Sequence, residues 1–214
     1  MREPINEFVK ICSRHLPAPE PVYEFGSFQV AGQEHISNLR GYYPGKKYLG
    51  ADMREGPGVD VVLNLHQIDL PDATAGTVLM LETIEHVEYP RKALDEVHRV
   101  LKPGGILLMS SAMCFPIHDY PHDYWRFTPE AFRSLLKPFS RSIVVAAGES
   151  LFPHTVVGIG FKGPVAGSDL TGLQKDLDAW QIFWTAALRP KGFKRFLKYL
   201  NRLDDKVKKA FGRA

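Results

Sequence analysis

The sequence predicts an α/β fold: a seven-stranded, mostly parallel sheet flanked by helices, with a basic amphipathic helix at the C-terminal end. Three observations carry that reading. Short apolar runs alternate with stretches of helical period between Val22 and Phe161, the pattern that βαβ units leave in a sequence. The apolar run 22–25 turns at Gly26-Ser27 into polar residues that read as a helix start, and the run 47–52 ends in an acid, Asp52. A chain of 214 residues can bury one good core without disulfides, so one domain with an appended tail is the expected organisation.

Ile5, Phe8, Val9 and Cys12 share one face of a 3.6-residue period and predict a short helix that stops before Pro17 and Pro19. Residues 1–19 are read as a cover over the crevice of the sheet, although packing on the sheet edge would leave the same pattern. Strand one is 22–25. A helix over 33–39 follows, with Ile36 and Leu39 inward, and Gly41 and Pro44-Gly45 break it. Strand two ends at Asp52, and strand three is expected over 59–65, directly after Gly56-Pro57-Gly58. That leaves no room for the crossover of about a dozen residues that a parallel connection usually needs.

Strand four is expected over 77–84 and strand five over 106–110. The helix between them starts at Pro90, places Leu94, Val97 and Leu101 on one face, is supported by Lys102 and stops at Pro103-Gly104-Gly105. Thr128 should N-cap the next helix, with Pro129 in its first position and Phe132, Leu135 and Leu136 inward. Residues 143–147 and 155–161 supply the last two strands, closing a domain over 20–162. Within the helical extension 163–214, Leu173, Leu177, Trp180 and Trp184 form an apolar seam.

The net charge of +3 is unevenly spread. Cations crowd the segment from Arg189 onward, against only Asp204 and Asp205, so the body is slightly acidic. In that tail Phe193, Phe196, Leu197, Leu200, Leu203, Val207 and Phe211 recur at helical spacing. Such a helix packs on its own domain or meets a partner or a membrane surface. Peripheral contact with an anionic inner membrane is the expectation, and nucleic acid is not, because no groove-reading motif is present. Cys12 and Cys114 lack metal-ligand spacing and read as free thiols in a reducing cytoplasm. No apolar region follows Met1-Arg2-Glu3-Pro4, so no signal peptide is expected.

A strand that turns at a small residue into a helix leaves free N–H groups above the sheet, and an acid ending the next strand can accept both hydroxyls of a ribose. Glu24 lies in an otherwise apolar strand, where a carboxylate is costly to bury without a partner. Phe28 stands where the second glycine of a G-x-G loop would be, which implies a shifted loop or a modified pocket. The segment 115–127 leaves strand five, so it should overhang the edge where ligands bind in open α/β sheets. It holds His118, Asp119, His122, Asp123, Tyr124, Trp125 and Arg126. First in order is a structural role, with Asp123 and Arg126 paired and Trp125 and Phe127 in the core. Second, His118 or His122 acts as general base, oriented by Asp119 or Asp123. Third, the two His-Asp pairs bind a divalent metal.

With Glu85-His86-Val87 and the run from Arg99 to Gly105, these motifs resemble the class I S-adenosylmethionine-dependent methyltransferases, in particular the small bacterial type 11 group, over roughly residues 20–162. The resemblance implies a Rossmann-like fold and S-adenosyl-L-methionine as cofactor. It implies that Glu24 holds the amino group of the methionine moiety beside the Gly26-Ser27 loop, that Asp52 holds the ribose, and that Met53 lies against the adenine. Asn64 and Leu65 would lie near the base edge, and Leu81 would line the pocket. The Glu85-His86 pair would be structural, its histidine bonding a neighbouring loop. The run Asp123 to Glu130 is similar to a subgroup found near surface-glycan functions, which points to a small-molecule or lipid-linked glycan acceptor. The His-rich loop favours oxygen as the acceptor atom, with His122, His118 and Asp123 as the expected catalytic set and no metal. A cofactor-binding protein without turnover and an NAD-dependent oxidoreductase are the rival readings. Phe28 favours the first, and the missing G-x-G-x-x-G loop weighs against the second.

Overall fold

The structure, a computed structural model, describes residues 1–118 and 122–187. In chain order its elements are α1 (Glu3–His15), β1 (Val22–Phe25), α2 (Glu34–Ser37), β2 (Tyr48–Asp52), β3 (Val61–Val62), β4 (Ala75–Leu81), α3 (Pro90–Val100), β5 (Leu101–Ala112), α4 (Pro129–Leu135), β6 (Arg141–Glu149), β7 (Phe152–Lys162) and α5 (Leu170–Ala187). Two 3-10 turns lie at Arg40–Tyr42 and Ile84–His86. The seven strands form one sheet in the order β3-β2-β1-β4-β5-β7-β6. All pairings are parallel except those of β7, which runs antiparallel to β5 and β6. The expected α/β architecture is present. The tail from Arg189 onward, and with it the basic amphipathic helix, lies outside the described residues.

Alternating side chains divide the core between the two faces of the sheet. Val78 and Met80 of β4, with Leu107 and Met109 of β5, pack under α3 and α4. Leu79 and Leu81, with Ile106 and Leu108, pack under α1 and α5. Every residue of β4 is buried, as a central strand covered on both faces requires. The Thr128 side chain caps α4 by accepting from Ala131 N–H, and Pro129 occupies the first turn, as expected.

Four expectations change. The helix over 33–39 shrinks to the single turn of α2, which buries nothing, while Leu39 is buried just beyond it. Strand three is two residues long rather than 59–65, and it pairs only with Ala51 and Asp52. So short a pairing lets the chain step back within a turn, which is why no crossover helix is needed. The helix α3 ends at Val100, and Leu101 already pairs with Ala75 in β5. Lys162 Nζ donates to the His98 carbonyl in its last turn at 2.6 Å and to the Leu101 carbonyl just past its end at 2.8 Å, while Lys102 reaches back to the Glu20 carbonyl at 2.7 Å. A lysine distant in sequence therefore does what the adjacent one was expected to do. Finally, α1 lies on the sheet beside α5 with Ile5, Phe8, Val9 and Cys12 buried, and only its leading residues reach the crevice.

Candidate active site

The C-terminal ends of β1, β2 and β4 open on one crevice, the usual ligand edge of an open parallel sheet. A cavity of about 520 Å³ lies there. The structure brings Glu24, Gly26, Ser27, Asp52, Met53, Asn64, Leu65 and Leu81 together around it, along with His118. His122 and Asp123 are not in its wall.

Glu24 sits at the third position of β1, only 9% exposed. Its Oε2 accepts a hydrogen bond from Tyr48 Oη at 2.6 Å, and the Arg40 guanidinium covers the Tyr48 ring at 4.9 Å. Burial pushes the carboxyl up to about 7, with the Tyr48 hydrogen bond and the Arg40 charge opposing the rise. The group is therefore poised to ionise near neutrality when a cation is brought to it.

Gly26 adopts φ 85°, and a Cβ there would stand 2.1 Å from Thr83 Oγ1. Only glycine fits this turn. The expectation of free N–H groups above β1 fails. Gly26 and Ser27 N–H both donate to the Ala51 carbonyl, Phe28 N–H points to Asp52 Oδ2 at 3.4 Å, and Gln29 N–H donates to the Pro57 carbonyl. The helix that would expose such groups begins only at Glu34. What the turn offers instead is the buried Ser27 hydroxyl, which has no hydrogen-bond partner among the described residues. The Phe28 ring is held between the Arg54 guanidinium, 4.3 Å from its centroid, and Gly56, where a Cβ would meet it at 2.3 Å. Asp52 Oδ1 accepts from Arg54 N–H at 3.1 Å, tying the end of β2 to the same loop. His66, lying between Asn64 Oδ1 at 3.1 Å and Tyr89 N–H at 3.1 Å, joins the β3–β4 loop to the start of α3.

At the other end of the cavity, Asp123 binds Arg126 through two nitrogens at 2.5 and 2.6 Å. Arg126 also donates to the Pro116 carbonyl at 2.9 Å. The guanidinium holds the Asp123 carboxyl well below the usual carboxylate range, and the pair braces the loop. Phe127 is in the core, but Trp125 is 44% exposed and donates from Nε1 to the Val87 carbonyl at 3.0 Å, so its expected core role is corrected. Asp123 Oδ2 accepts from the His118 backbone N–H at 2.8 Å, and His118 Nδ1 lies 3.2 Å from the Pro116 carbonyl. The His122 side chain is exposed and packs on Tyr124. Its carbonyl faces His86 Nδ1 at 2.6 Å, so His86 does bond a neighbouring loop. Asp119 lies outside the described residues.

Glu85 is completely buried. Its backbone carbonyl accepts from Tyr124 and Trp125 N–H at 2.9 and 3.2 Å. Burial and the charge of Glu82 push its carboxyl up to about 8, which the Ser111 hydroxyl and nearby backbone oppose only in part. Neither carboxyl oxygen has a partner of hydrogen-bonding geometry among the described residues.

Sequence reasoning missed Arg2 and Glu82, which also line the cavity. Glu82 follows β4 at φ 48°, and Arg2 Nε donates to its Oε1 at 2.7 Å. Arg2 Nη1 donates to Thr155 Oγ1 at 2.9 Å and to the His154 carbonyl at 3.1 Å. These partners are 80 to 153 residues away, beyond the reach of any local pattern.

Comparison with known proteins agrees with this geometry. Residues 33–109 match the type 11 methyltransferase family, described as a methyltransferase domain. A Mycolicibacterium smegmatis protein named as an S-adenosylmethionine-dependent methyltransferase is 33% identical over 76 residues, 36% of this chain and 25% of that protein. The chain thus spans about a quarter of the length of this curated relative. A methyltransferase structure from Thermotoga maritima superposes with a TM-score of 0.54 at 19% identity, covering 72% of this chain and 87% of the other. One from Methanosarcina mazei gives 0.51 at 16% identity, covering 72% and 97%.

Proposed function

We propose that this chain, whose matched segment is a type 11 methyltransferase domain on an S-adenosylmethionine-dependent methyltransferase fold, moves a methyl group from S-adenosyl-L-methionine to an oxygen of a small-molecule or glycan-type acceptor. The observation that carries the proposal is the single cavity on which Glu24, Ser27 and Asp52 converge. The buried Glu24 carboxyl and the unpartnered Ser27 hydroxyl fit a ligand with an ammonium and a carboxylate, and Asp52 fits its ribose. Met53, Asn64 and Leu65 supply an apolar and polar edge for the base.

When bound, the cofactor supplies an electrophilic methyl carbon. The acceptor oxygen would take that methyl carbon as the carbon–sulfur bond broke, the electron pair staying on sulfur in the departing S-adenosylhomocysteine. The protein's part is in-line positioning and exclusion of water. An alcohol must also lose a proton as it attacks, and we assign that step to His118, which lines the cavity. The Pro116 carbonyl can only accept, so His118 Nδ1 carries the proton and Nε2 keeps its lone pair. His118 lines the cavity and His122 does not, which favours His118 as the base, with Asp123 orienting it. Among the described residues no helix is long and apolar enough to cross a membrane. A lipid-linked glycan as acceptor, with the tail at the inner membrane surface, remains part of the proposal.

Titration of the full chain with S-adenosylmethionine, S-adenosylhomocysteine and NADH tests the reading. Binding of the first two and not the third is expected. Selective binding of NADH would overturn it in favour of an oxidoreductase, and binding of the cofactor without turnover on any hydroxyl acceptor would leave a binding protein.

A further inference from the structure

Glu85 poses a question that methyl transfer does not answer. A fully buried carboxyl whose oxygens have no partner of hydrogen-bonding geometry among the described residues is costly, and Glu85 holds the loop at Tyr124 and Trp125 through its backbone, not its side chain. Two imidazoles stand beside it. One carboxylate oxygen of Glu85 and one ring nitrogen each of His86 and His118 all lie within 4.8 Å of one another. The two rings are edge to face, with centroids 5.0 Å apart.

The tautomers of both histidines are set by what surrounds them. His86 Nδ1 faces the His122 carbonyl at 2.6 Å, and His118 Nδ1 faces the Pro116 carbonyl at 3.2 Å. A carbonyl oxygen cannot donate, so each Nδ1 bears the proton and each Nε2 is left with a lone pair. His118 Nδ1 also lies 3.3 Å from Asp123 Oδ2, a carboxylate whose side chain is 1% exposed and which is fixed by Arg126. A histidine whose far nitrogen is held by a carbonyl or carboxylate is the arrangement that orients metal-binding imidazoles.

We infer that Glu85, His86 and His118 form a binding site for a divalent transition-metal ion at the rim of the cavity. Two imidazole nitrogens and one carboxylate oxygen suit zinc, iron, cobalt or nickel better than magnesium or calcium, which prefer all-oxygen shells. Metal–ligand bonds of about 2.0–2.2 Å would require the three atoms to draw in from their present spacing by side-chain rotation. Three protein ligands leave coordination positions open, and His86 and His118 line the cavity, so those positions face the space where an acceptor would sit. The site differs from the His-Asp pairs that the loop sequence suggests, because two of its ligands come from the turn after β4.

The binding site stands independently of methyl transfer, and only its use rests on that reading. With the ion bound, the His118 lone pair is engaged, and activation of the acceptor passes to the metal. A hydroxyl coordinated there would give up its proton to water more readily, as zinc-bound water does, and its oxygen would be held for attack.

The test uses the full chain and Co²⁺ alone, followed by its visible absorption and by calorimetry. The expected result is one equivalent bound, with Glu85→Gln and His118→Ala each weakening binding at least about tenfold. His35→Ala, on the exposed turn α2 and absent from the cavity wall, is the control for adventitious histidine binding and should change nothing. No Co²⁺ binding by the folded chain, or equal binding by wild type and both ligand variants, would overturn the inference. If Glu85→Gln does not fold, as judged by circular dichroism, His86→Ala and His118→Ala carry the same test. S-adenosylhomocysteine titration of the same samples separates the two proposals. Cofactor binding without Co²⁺ binding removes only the metal site, and the converse removes only the methyl-transfer reading.

Discussion

Replacing Glu24 by Gln keeps the shape of the side chain and its contact with Tyr48 but removes the charge. In the structure the carboxyl is 9% exposed, accepts one hydrogen bond of 2.6 Å and is pushed up to about 7. A charge-assisted hydrogen bond to a ligand ammonium contributes about 1.5–3 kcal/mol, so the variant should bind S-adenosylhomocysteine roughly ten- to a hundredfold more weakly at neutral pH. The pH profile gives a sharper signature. For a group ionising near pH 7, the charged fraction rises about fivefold between pH 6 and pH 7, and wild-type affinity should rise with it. In Glu24→Gln that dependence should vanish. Apo-protein stability should move the opposite way. A folded-state carboxyl raised from 4.5 to about 7 contributes on the order of 3 kcal/mol, fully present below pH 4.5 and lost as pH rises through 7. Glu24→Gln should flatten that part of the stability profile. Calorimetric titration at several pH values, paired with denaturant melts, measures both. Unchanged affinity, or a pH profile that survives the substitution, would refute a direct role for Glu24 in binding.

Asp52→Ala should weaken S-adenosylhomocysteine about ten- to a hundredfold while leaving the circular dichroism spectrum intact, and equal affinity would remove Asp52 from the site. His118→Ala should lower transfer to a hydroxyl acceptor about 10²–10⁴-fold with cofactor affinity unchanged; full turnover would return the residue to a scaffold role. Thr128→Ala, which loses the side-chain cap of α4, should cost about 1 kcal/mol in urea denaturation with no change in cofactor affinity.

The sheet was legible because its signals are local. The run at β1, the acid ending β2 and the Thr128-Pro129 start of α4 each declare themselves within a few residues, and all three lie where the sequence places them. Glu24, Asp52 and Leu81 were legible for the same reason, since they lie in β1, β2 and β4, whereas Asn64 and Leu65 fall beyond the short β3. The parts that misled depend on distant partners. Nothing near residue 100 shows that Lys162 caps α3, and nothing near residue 28 shows that Phe28 seats on Gly56. The loop over 115–127 was recognisably unusual, yet its composition could not rank its two histidines. Arg126, by reaching Asp123 and the Pro116 carbonyl together, braces the loop that brings His118 to the cavity.

Arg2 has a consequence for the order in which the molecule can be completed. The helix that it leads, α1, is made before its anchors are. Arg2 fastens to Glu82 and then to His154 and Thr155, the Pro4 carbonyl accepts from Trp180 Nε1 at 2.8 Å, and His15 Nε2 meets Asp176 at 2.9 Å. Until α5 has been synthesised, α1 has only part of the surface it packs against. The part of the cavity wall that Met1 and Arg2 supply is thus made before the elements that set it in place. A nascent chain that stops short of α5 can build most of the sheet while leaving the crevice open on that side, so ligand binding during synthesis reports the arrival of α5 rather than the formation of the sheet.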